Sequence, residues 1–107
     1  MQPKDFQIVY VPCGTLEEAR KIGRDLVEQR LAACANILPK MKSLYAWQGR
    51  LVEEDEILLL MKVRSEKLPS VRDRITALHS YECPCIVSWA LQSGNTPYLQ
   101  WLRDATE

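Results

Sequence analysis

The side chains best suited to chemistry are one histidine and four cysteines. The histidine is His79, and the cysteines are Cys13, Cys34, Cys83 and Cys85. Imidazole and thiolate are preferred ligands of zinc and Cu(I), and a thiol beside a histidine can also act as a nucleophile. No spacing signature of a thiol-dependent enzyme accompanies these residues. We therefore predict that the protein is not an enzyme, and keep a Cys/His-dependent enzyme or redox protein, using Cys13 or Cys83 with His79, as the alternative.

The segment after His79 could supply a local metal site. Glu82, Cys83 and Cys85 follow the histidine within a few residues. Side chains on either side of Pro84 point to opposite faces if the segment is extended, so the two cysteines cannot share one ion. We predict His79 and Glu82 as metal ligands, with one of the two cysteines in the core and the other near a surface. In the alternative, His79 only interacts with carbonyl groups at a helix end.

Two further thiols have different surroundings. Cys13 lies between Pro12 and Gly14, just before a predicted helix, and a helix N-terminus can lower the pKa of a thiol and make it reactive or ligating. The alternative is an ordinary thiol in a strand-to-helix turn. Cys34 lies among alanines, which predicts a small buried apolar residue.

An acidic run, Glu53–Glu56, is a second place where cations could bind. Clustered carboxylates attract hard cations, but no glycine-bearing calcium loop accompanies this run. We predict a solvated hairpin segment that pairs with Arg50, Lys62 or Arg64. Glycines occur singly, so a phosphate-binding loop is not indicated.

Composition limits the classes of protein to which the chain can belong. The chain has 107 residues, one domain by size, with 14 Lys and Arg against 14 Asp and Glu. This zero net charge argues against a protein that binds nucleic acid or a membrane surface through basic patches. No apolar run has the length of a signal peptide or a membrane span, so we predict a cytoplasmic protein with reduced thiols.

The pattern along the chain predicts the order β-α-β-β-α-β followed by a short helix. A capping box at Thr15 and Glu18 begins the first helix. The predicted elements are a strand at 6–11 buried on both faces, a helix at 16–31, a long hairpin at 34–63 that turns at Gln48–Gly49 and is irregular at Pro39, a helix at 68–78, a strand at 86–91, and a last helix with Tyr98, Trp101, Leu102 and Ala105 on its apolar side. This is the split βαβ pattern of an α+β protein.

Such a sheet carries its two helices on one face and leaves the other face open. Tyr10, Tyr45, Trp47 and Trp89 lie on predicted strands, and some of them must point away from the helices because side chains alternate. A large apolar face needs a cover, and a second copy of the chain is the simplest one. The pattern therefore predicts an oligomer.

Ordered motifs suggest a family. The segments LAACANI at 31–37, SLYAWQG at 43–49, LHSYE at 78–82 and YLQWL at 98–102 occur in this order. Together they resemble the CutA family of divalent-cation-tolerance proteins, over almost the whole chain. The resemblance implies a ferredoxin-like fold similar to that of the PII signalling proteins, and a homotrimer held by the hairpin at 43–63. It also implies a link to tolerance of copper and other divalent metals, with no firmly assigned catalytic reaction.

The resemblance also bears on the site. The family's metal-ligand positions correspond to Val11, Leu78 and His79, of which only His79 can bind a metal. Cys13 lies two residues after Val11 and is a candidate replacement. The predicted ligands of copper or another divalent ion are therefore His79, Cys13 and Glu82. A binding site at a subunit boundary is predicted from Tyr81 of one chain and from Trp47 or Lys62 of another. The remaining alternative is a purely structural or signalling trimer without a metal.

Overall fold

The computed structural model describes all residues, 1–107, as a four-stranded antiparallel sheet with helices. Its elements are β1 (Phe6–Cys13), α1 (Leu16–Glu28), β2 (Cys34–Trp47), β3 (Arg50–Arg64), α2 (Leu68–Leu78), β4 (Val87–Ala90) and α3 (Thr96–Ala105), with short 3-10 helices at Pro3–Asp5 and Ser65–Lys67. The strand order is β2-β3-β1-β4. This confirms the predicted α+β, ferredoxin-like fold. None of its helices combines the length and the apolar character that a membrane crossing requires.

The main core lies between α1, α2 and one face of the sheet. Val9 and Val11 of β1 are fully buried there with Leu59 and Met61 of β3. Because strand residues alternate, Ile8 and Tyr10 point to the other face, where they are only partly buried. The prediction that this strand is buried on both faces is therefore wrong for the single chain.

The predicted cap of α1 is partly confirmed. The Thr15 hydroxyl accepts a hydrogen bond from the Glu18 backbone N–H at 3.1 Å, as a helix cap should. The Glu18 carboxylate accepts from the backbone N–H groups of Gly14 and Ser80. The helix ends at Glu28 and not at residue 31, because Arg30 adopts a φ of 60° that no helix continues.

The long hairpin has a tight turn and one irregularity. Gln48 and Gly49 have φ values of 51° and 77°, and two consecutive positive φ angles are typical of the type I′ hairpin turn. The register shifts between Leu38 and Met41, which confirms the predicted irregularity at Pro39. The strands beyond this shift, residues 41–56, are here called the hairpin arm. They contribute to an elongated molecule of 45 × 25 × 23 Å.

Helix α3 covers one end of the sheet face that lies opposite α1 and α2. Its buried residues are Leu99 and Leu102, which pack against Phe6 and Ala33. The predicted apolar side of α3 is therefore partly wrong, because Trp101 is 47% exposed. The last turn of α3 and the residues after it are held by three basic side chains that donate to backbone carbonyls, as expected at a helix C-terminus. These are Arg30, Arg64 and Lys67.

Candidate functional site

His79 lies directly after α2 and its side chain is completely buried. Its Nε2 atom is 2.9 Å from the carbonyl oxygen of Pro12, and its Nδ1 atom accepts a hydrogen bond from the Tyr81 backbone N–H at 3.1 Å. A neutral ring with its proton on Nε2 satisfies both contacts. Both ring nitrogens are therefore already engaged in hydrogen bonds that join β1 to the segment after α2.

Cys13 and Glu18 complete a cluster with His79. The ligand atoms of these three residues lie within 4.8 Å of one another. We call them the His79 group. Cys13 is the last residue of β1 and is fully buried. Burial, together with the negative charges of Glu18 and Glu56, raises its pKa to about 12. The helix N-terminus therefore does not produce a reactive thiolate here, and the thiol is protonated at neutral pH.

Glu18 is the charged member of the His79 group. Burial by itself would raise the pKa of this carboxyl, but hydrogen bonds from Ser80 lower the pKa below its ordinary value. One carboxylate oxygen accepts from the Ser80 backbone N–H at 2.8 Å. The other oxygen lies 3.9 Å from Nδ1 of His79. Glu18 thus fixes the start of α1 to the chain that leaves α2.

Tyr81 extends this network to the hairpin arm. Its ring is tilted against the His79 ring with 4.6 Å between centroids, and its hydroxyl donates to the Glu56 carboxylate at 2.8 Å. Glu56 is only 6% exposed. Burial and the Glu56 carboxylate both raise the pKa of Tyr81. The prediction of a fully solvated acidic run is therefore wrong at Glu56.

The rest of the acidic run agrees only in part with its prediction. Asp55 is exposed and pairs with Lys42 across the hairpin. Neither Arg50 nor Lys62 pairs with the run, and Arg64 pairs with Glu66 instead. Within the hairpin, the one ion pair of the acidic run is therefore made with Lys42 of the neighbouring strand β2.

The predicted site residues fall into separate places. The structure brings His79, Cys13 and Tyr81 together, but the carboxylate beside them is Glu18, whereas Glu82 is exposed and has no hydrogen-bond or ion-pair partner. Trp47 lies at the tip of the hairpin arm, and Lys62 lies on the open sheet face; their binding roles stay predictions. Sequence reasoning missed Glu18 as a member of the cluster, although its place in a capping box just after Cys13 was a usable signal.

Cys83 and Cys85 do not lie where the sequence analysis predicts them. All four thiols are free. Cys83 and Cys85 are both exposed, so the prediction that one of them lies in the core is wrong. Partial burial, followed by the negative charge of Glu56, raises the pKa of Cys85.

A second group of polar residues lies on the open sheet face. The ammonium nitrogen of Lys62 is 3.5 Å from the Cys34 sulfur and 3.4 Å from the Asn36 side-chain oxygen. It is also 5.5 Å from the centre of the Tyr98 ring, whose hydroxyl is 3.9 Å from the same sulfur. We call these four residues the Lys62 group. The prediction of Cys34 as a buried apolar residue is therefore wrong, because its side chain is partly exposed and has polar neighbours.

The chain resembles proteins of a known family in sequence and in fold. The profile of the CutA1 divalent ion tolerance protein family matches residues 7–105. The chain belongs to this family. Among curated relatives, the divalent-cation tolerance protein CutA of Thermus thermophilus is 45% identical over 100 residues, which cover 94% of this chain and 97% of the relative. The human protein CutA is 37% identical over 98% of this chain, which spans only 59% of that relative.

Solved structures agree with this assignment. The structure of the divalent cation tolerance protein CutA1 from Thermus thermophilus superposes with a TM-score of 0.92 at 44% identity, covering 95% of this chain and 99% of that one. The structure of CutA from Synechococcus elongatus superposes with a TM-score of 0.94 at 27% identity, covering 100% of this chain and 95% of that one. The predicted family is therefore confirmed.

Proposed function

We propose that the chain acts in divalent-cation tolerance as a cytoplasmic homotrimer and that it catalyses no reaction. The observation that carries this proposal is the exposed apolar surface of the hairpin arm. Leu44, Trp47 and Leu51 are all exposed, Leu51 at 76% and Trp47 at 58%. Exposed apolar side chains on both faces of a projecting element are typical of an interface. The names of the Thermus relatives support the tolerance role.

The free edges of the sheet supply a second argument for assembly. In the order β2-β3-β1-β4, strands β2 and β4 each have one edge without a partner in the chain. The free edge of β2 runs along 14 residues, and such an edge invites another strand to pair with it. The arms of identical chains could satisfy one another's backbone groups by adding to neighbouring sheets.

The His79 group supports the absence of catalysis. A nucleophilic cysteine needs a thiolate and a histidine nitrogen free to accept its proton. Cys13 has a raised pKa and His79 uses both nitrogens in hydrogen bonds. The enzyme alternative therefore has no activated thiol within the His79 group.

Variants of the arm test the proposal in solution. Trp47→Asp places a charge in the proposed interface, so we expect the dissociation constant of the trimer to rise at least about tenfold with little change in folding. Trp101→Asp is a matched control, because Trp101 is also about half exposed but lies on α3. Light scattering over a dilution series measures both. Equal assembly of the two variants would contradict the role of the arm.

A growth assay tests the tolerance role. Cells without their own family member should grow better at raised copper or zinc when they express the wild-type chain, and Trp47→Asp should not restore that growth. Protein levels must be matched by immunoblot. Wild-type protein that gives no growth advantage would contradict the proposed function even if it forms a trimer.

A second candidate function is binding of copper or another divalent ion at the His79 group. The closeness of three potential ligand atoms, within 4.8 Å, favours it. The thiol, imidazole and carboxylate suit a soft or borderline ion in kind. Metal binding would require Cys13 to lose its proton and His79 to give up a hydrogen bond. We therefore place metal binding second, after a tolerance role in which the His79 group holds no ion.

Titration calorimetry with copper and zinc tests this candidate. A single saturable site that is lost in Cys13→Ser, but kept in Cys34→Ser, would support it. Identical isotherms for wild type, Cys13→Ser and His79→Ala would remove the His79 group as a metal site.

A further inference from the structure

The hairpin arm, residues 41–56, pairs only with itself. The ladder between β1 and β3 ends at Cys13 and Ile57, and from Glu56 to the turn β3 pairs with β2 alone. The arm is therefore a two-stranded ribbon about 25 Å long. Because no third strand fixes its direction, a rotation of about 20° at its base would move its tip by about 9 Å.

The base of the arm contains a β-bulge. Two residues of β2, Pro39 and Lys40, lie opposite the single residue Ile57 of β3. Lys40 has a φ of 66°, which lies outside the range of a regular strand. A bulge bends its strand and interrupts the ladder. The ladder alone therefore permits the arm to change direction at this point.

Two side-chain hydrogen bonds join the arm to the rest of the chain, and both involve its first residue pair, Met41 and Glu56. The Tyr10 hydroxyl is 3.7 Å from the Met41 sulfur, and a thioether is a weak acceptor. The Tyr81 hydroxyl donates to the Glu56 carboxylate at 2.8 Å. A hydrogen bond to a carboxylate is roughly twice as strong as one between neutral groups. The Tyr81–Glu56 bond is therefore the stronger of the two connections.

Tyr81 is itself held by the body of the molecule. Its backbone N–H donates to Nδ1 of His79, and its ring is tilted against the His79 ring. Its hydroxyl lies beside Gly14, where an added Cβ would be 3.3 Å from the hydroxyl oxygen. The bond to Glu56 therefore connects the arm to the end of β1 and to the segment after α2.

We propose that the Tyr81–Glu56 hydrogen bond sets the direction of the hairpin arm before chains associate, so that Tyr81 is a positioning residue for assembly. An arm that pivots freely would lose orientational freedom when it enters an interface, and an arm with a preset direction avoids much of that cost. The inference rests on the proposed homotrimer and goes beyond it, because it assigns control of assembly to a contact inside one chain.

Matched variants test the effect on assembly. Tyr81→Phe keeps the ring and removes the donor, so the dissociation constant of the assembly should rise at least about tenfold. Glu56→Gln keeps an oxygen acceptor and should retain most of the affinity. Light scattering over a dilution series measures each value, and circular dichroism must show that each variant is folded.

Thr106→Val is the control for loss of stability alone. It also removes a buried hydroxyl, but that hydroxyl bonds to Arg64 at the other end of β3. Its dissociation constant should change by less than about twofold. Equal assembly of Tyr81→Phe and Thr106→Val would overturn the proposal.

A double variant tests whether the two residues act as a pair. If Tyr81 and Glu56 act through their mutual bond, Tyr81→Phe combined with Glu56→Ala should assemble no more weakly than the weaker single variant. If the two losses add, each residue acts separately, for example by contacting another copy. Additive losses would therefore contradict the role of the bond.

The wild type separates failure of this proposal from failure of the homotrimer. If the wild type assembles and Tyr81→Phe assembles equally well, only the positioning role is wrong. If the wild type remains a single chain, the homotrimer is wrong, and NMR order parameters of the arm amides test the bond directly. In that chain Tyr81→Phe should lower them from about 0.85 to below about 0.6. Unchanged values would overturn the positioning role as well.

Discussion

The His79 group and the Lys62 group contain similar chemical types in opposite conditions. In the first, the imidazole nitrogens and the Glu18 carboxylate are all engaged in hydrogen bonds, and the thiol is protonated. In the second, an ammonium, a thiol and an amide share a partly exposed face without a carboxylate. Residue type alone pointed to the first group. The contacts leave unused bonding capacity in the second group, because the side-chain nitrogen of Asn36 donates to no acceptor in the chain.

The largest expected effect is on the stability of His79→Ala. This change leaves the Pro12 carbonyl and the Tyr81 backbone N–H without partners and opens a cavity, so we expect the free energy of unfolding to fall by about 2–4 kcal/mol. Chemical denaturation measures it. Glu82→Ala is the control and should change stability by less than about 0.5 kcal/mol. If both variants unfold alike, His79 is not the structural centre of its group.

Cys34 and Cys13 should react with a thiol reagent at different rates. In a background of Cys83→Ser and Cys85→Ser, Cys34 should react with iodoacetamide at least about a hundredfold faster than Cys13, since Cys13 is fully buried and its pKa is raised to about 12. Mass spectrometry of digested protein measures each rate. Rapid labelling of Cys13 in the folded protein would remove the contrast between the two groups.

A smaller effect on the free energy of unfolding is expected when a tyrosine that donates a hydrogen bond to a glutamate is replaced by phenylalanine. Tyr81 donates to buried Glu56 and Tyr45 donates to Glu54 on the exposed arm. Tyr81→Phe leaves a buried carboxylate without its donor and should lower the free energy of unfolding by about 1–2 kcal/mol. Tyr45→Phe should change it by less than about 0.5 kcal/mol, measured in the same way at a protein concentration that keeps assembly constant. Equal losses would mean that burial does not distinguish the two bonds.

The smallest effect concerns pH. The pKa of Glu18 is lower in the folded protein than its ordinary value, so its contribution to stability is complete above the ordinary value and is lost as the pH falls through the folded value. Stability should therefore fall on acidification, and Glu18→Gln should reduce that slope. Denaturation curves at several pH values measure it. An unchanged slope in Glu18→Gln would show that its hydrogen bonds do not favour the ionised form.

Local signals predicted most of the fold. Apolar periodicity placed the helices and strands, Thr15 marked the start of α1, and Pro39 marked the irregularity in the hairpin. These features depend on residues close in sequence. The burial of Glu56 depends on Tyr81, and the position of α3 on the sheet depends on Phe6. Such contacts join segments that are distant in sequence, so the apolar periodicity of either segment alone does not predict them.

The candidate site was predictable only in part for the same reason. Cys13 and His79 were each noted, and they do lie together, but the sequence did not show that Pro12 and Tyr81 occupy both nitrogens of the histidine. Lys62 was noted as a binding residue, but its neighbours Cys34, Asn36 and Tyr98 were not, because they lie on β2 and α3 and meet Lys62 only in the folded chain.

Sedimentation equilibrium of the wild-type chain tests the central claim most directly. The exposed hairpin arm and the free sheet edges predict an assembly of identical chains. The proposed homotrimer, which the family resemblance implies, makes this a single species with three times the mass of the chain, retained on dilution to low micromolar concentration. A stable, folded particle with the mass of one chain under these conditions would contradict the account.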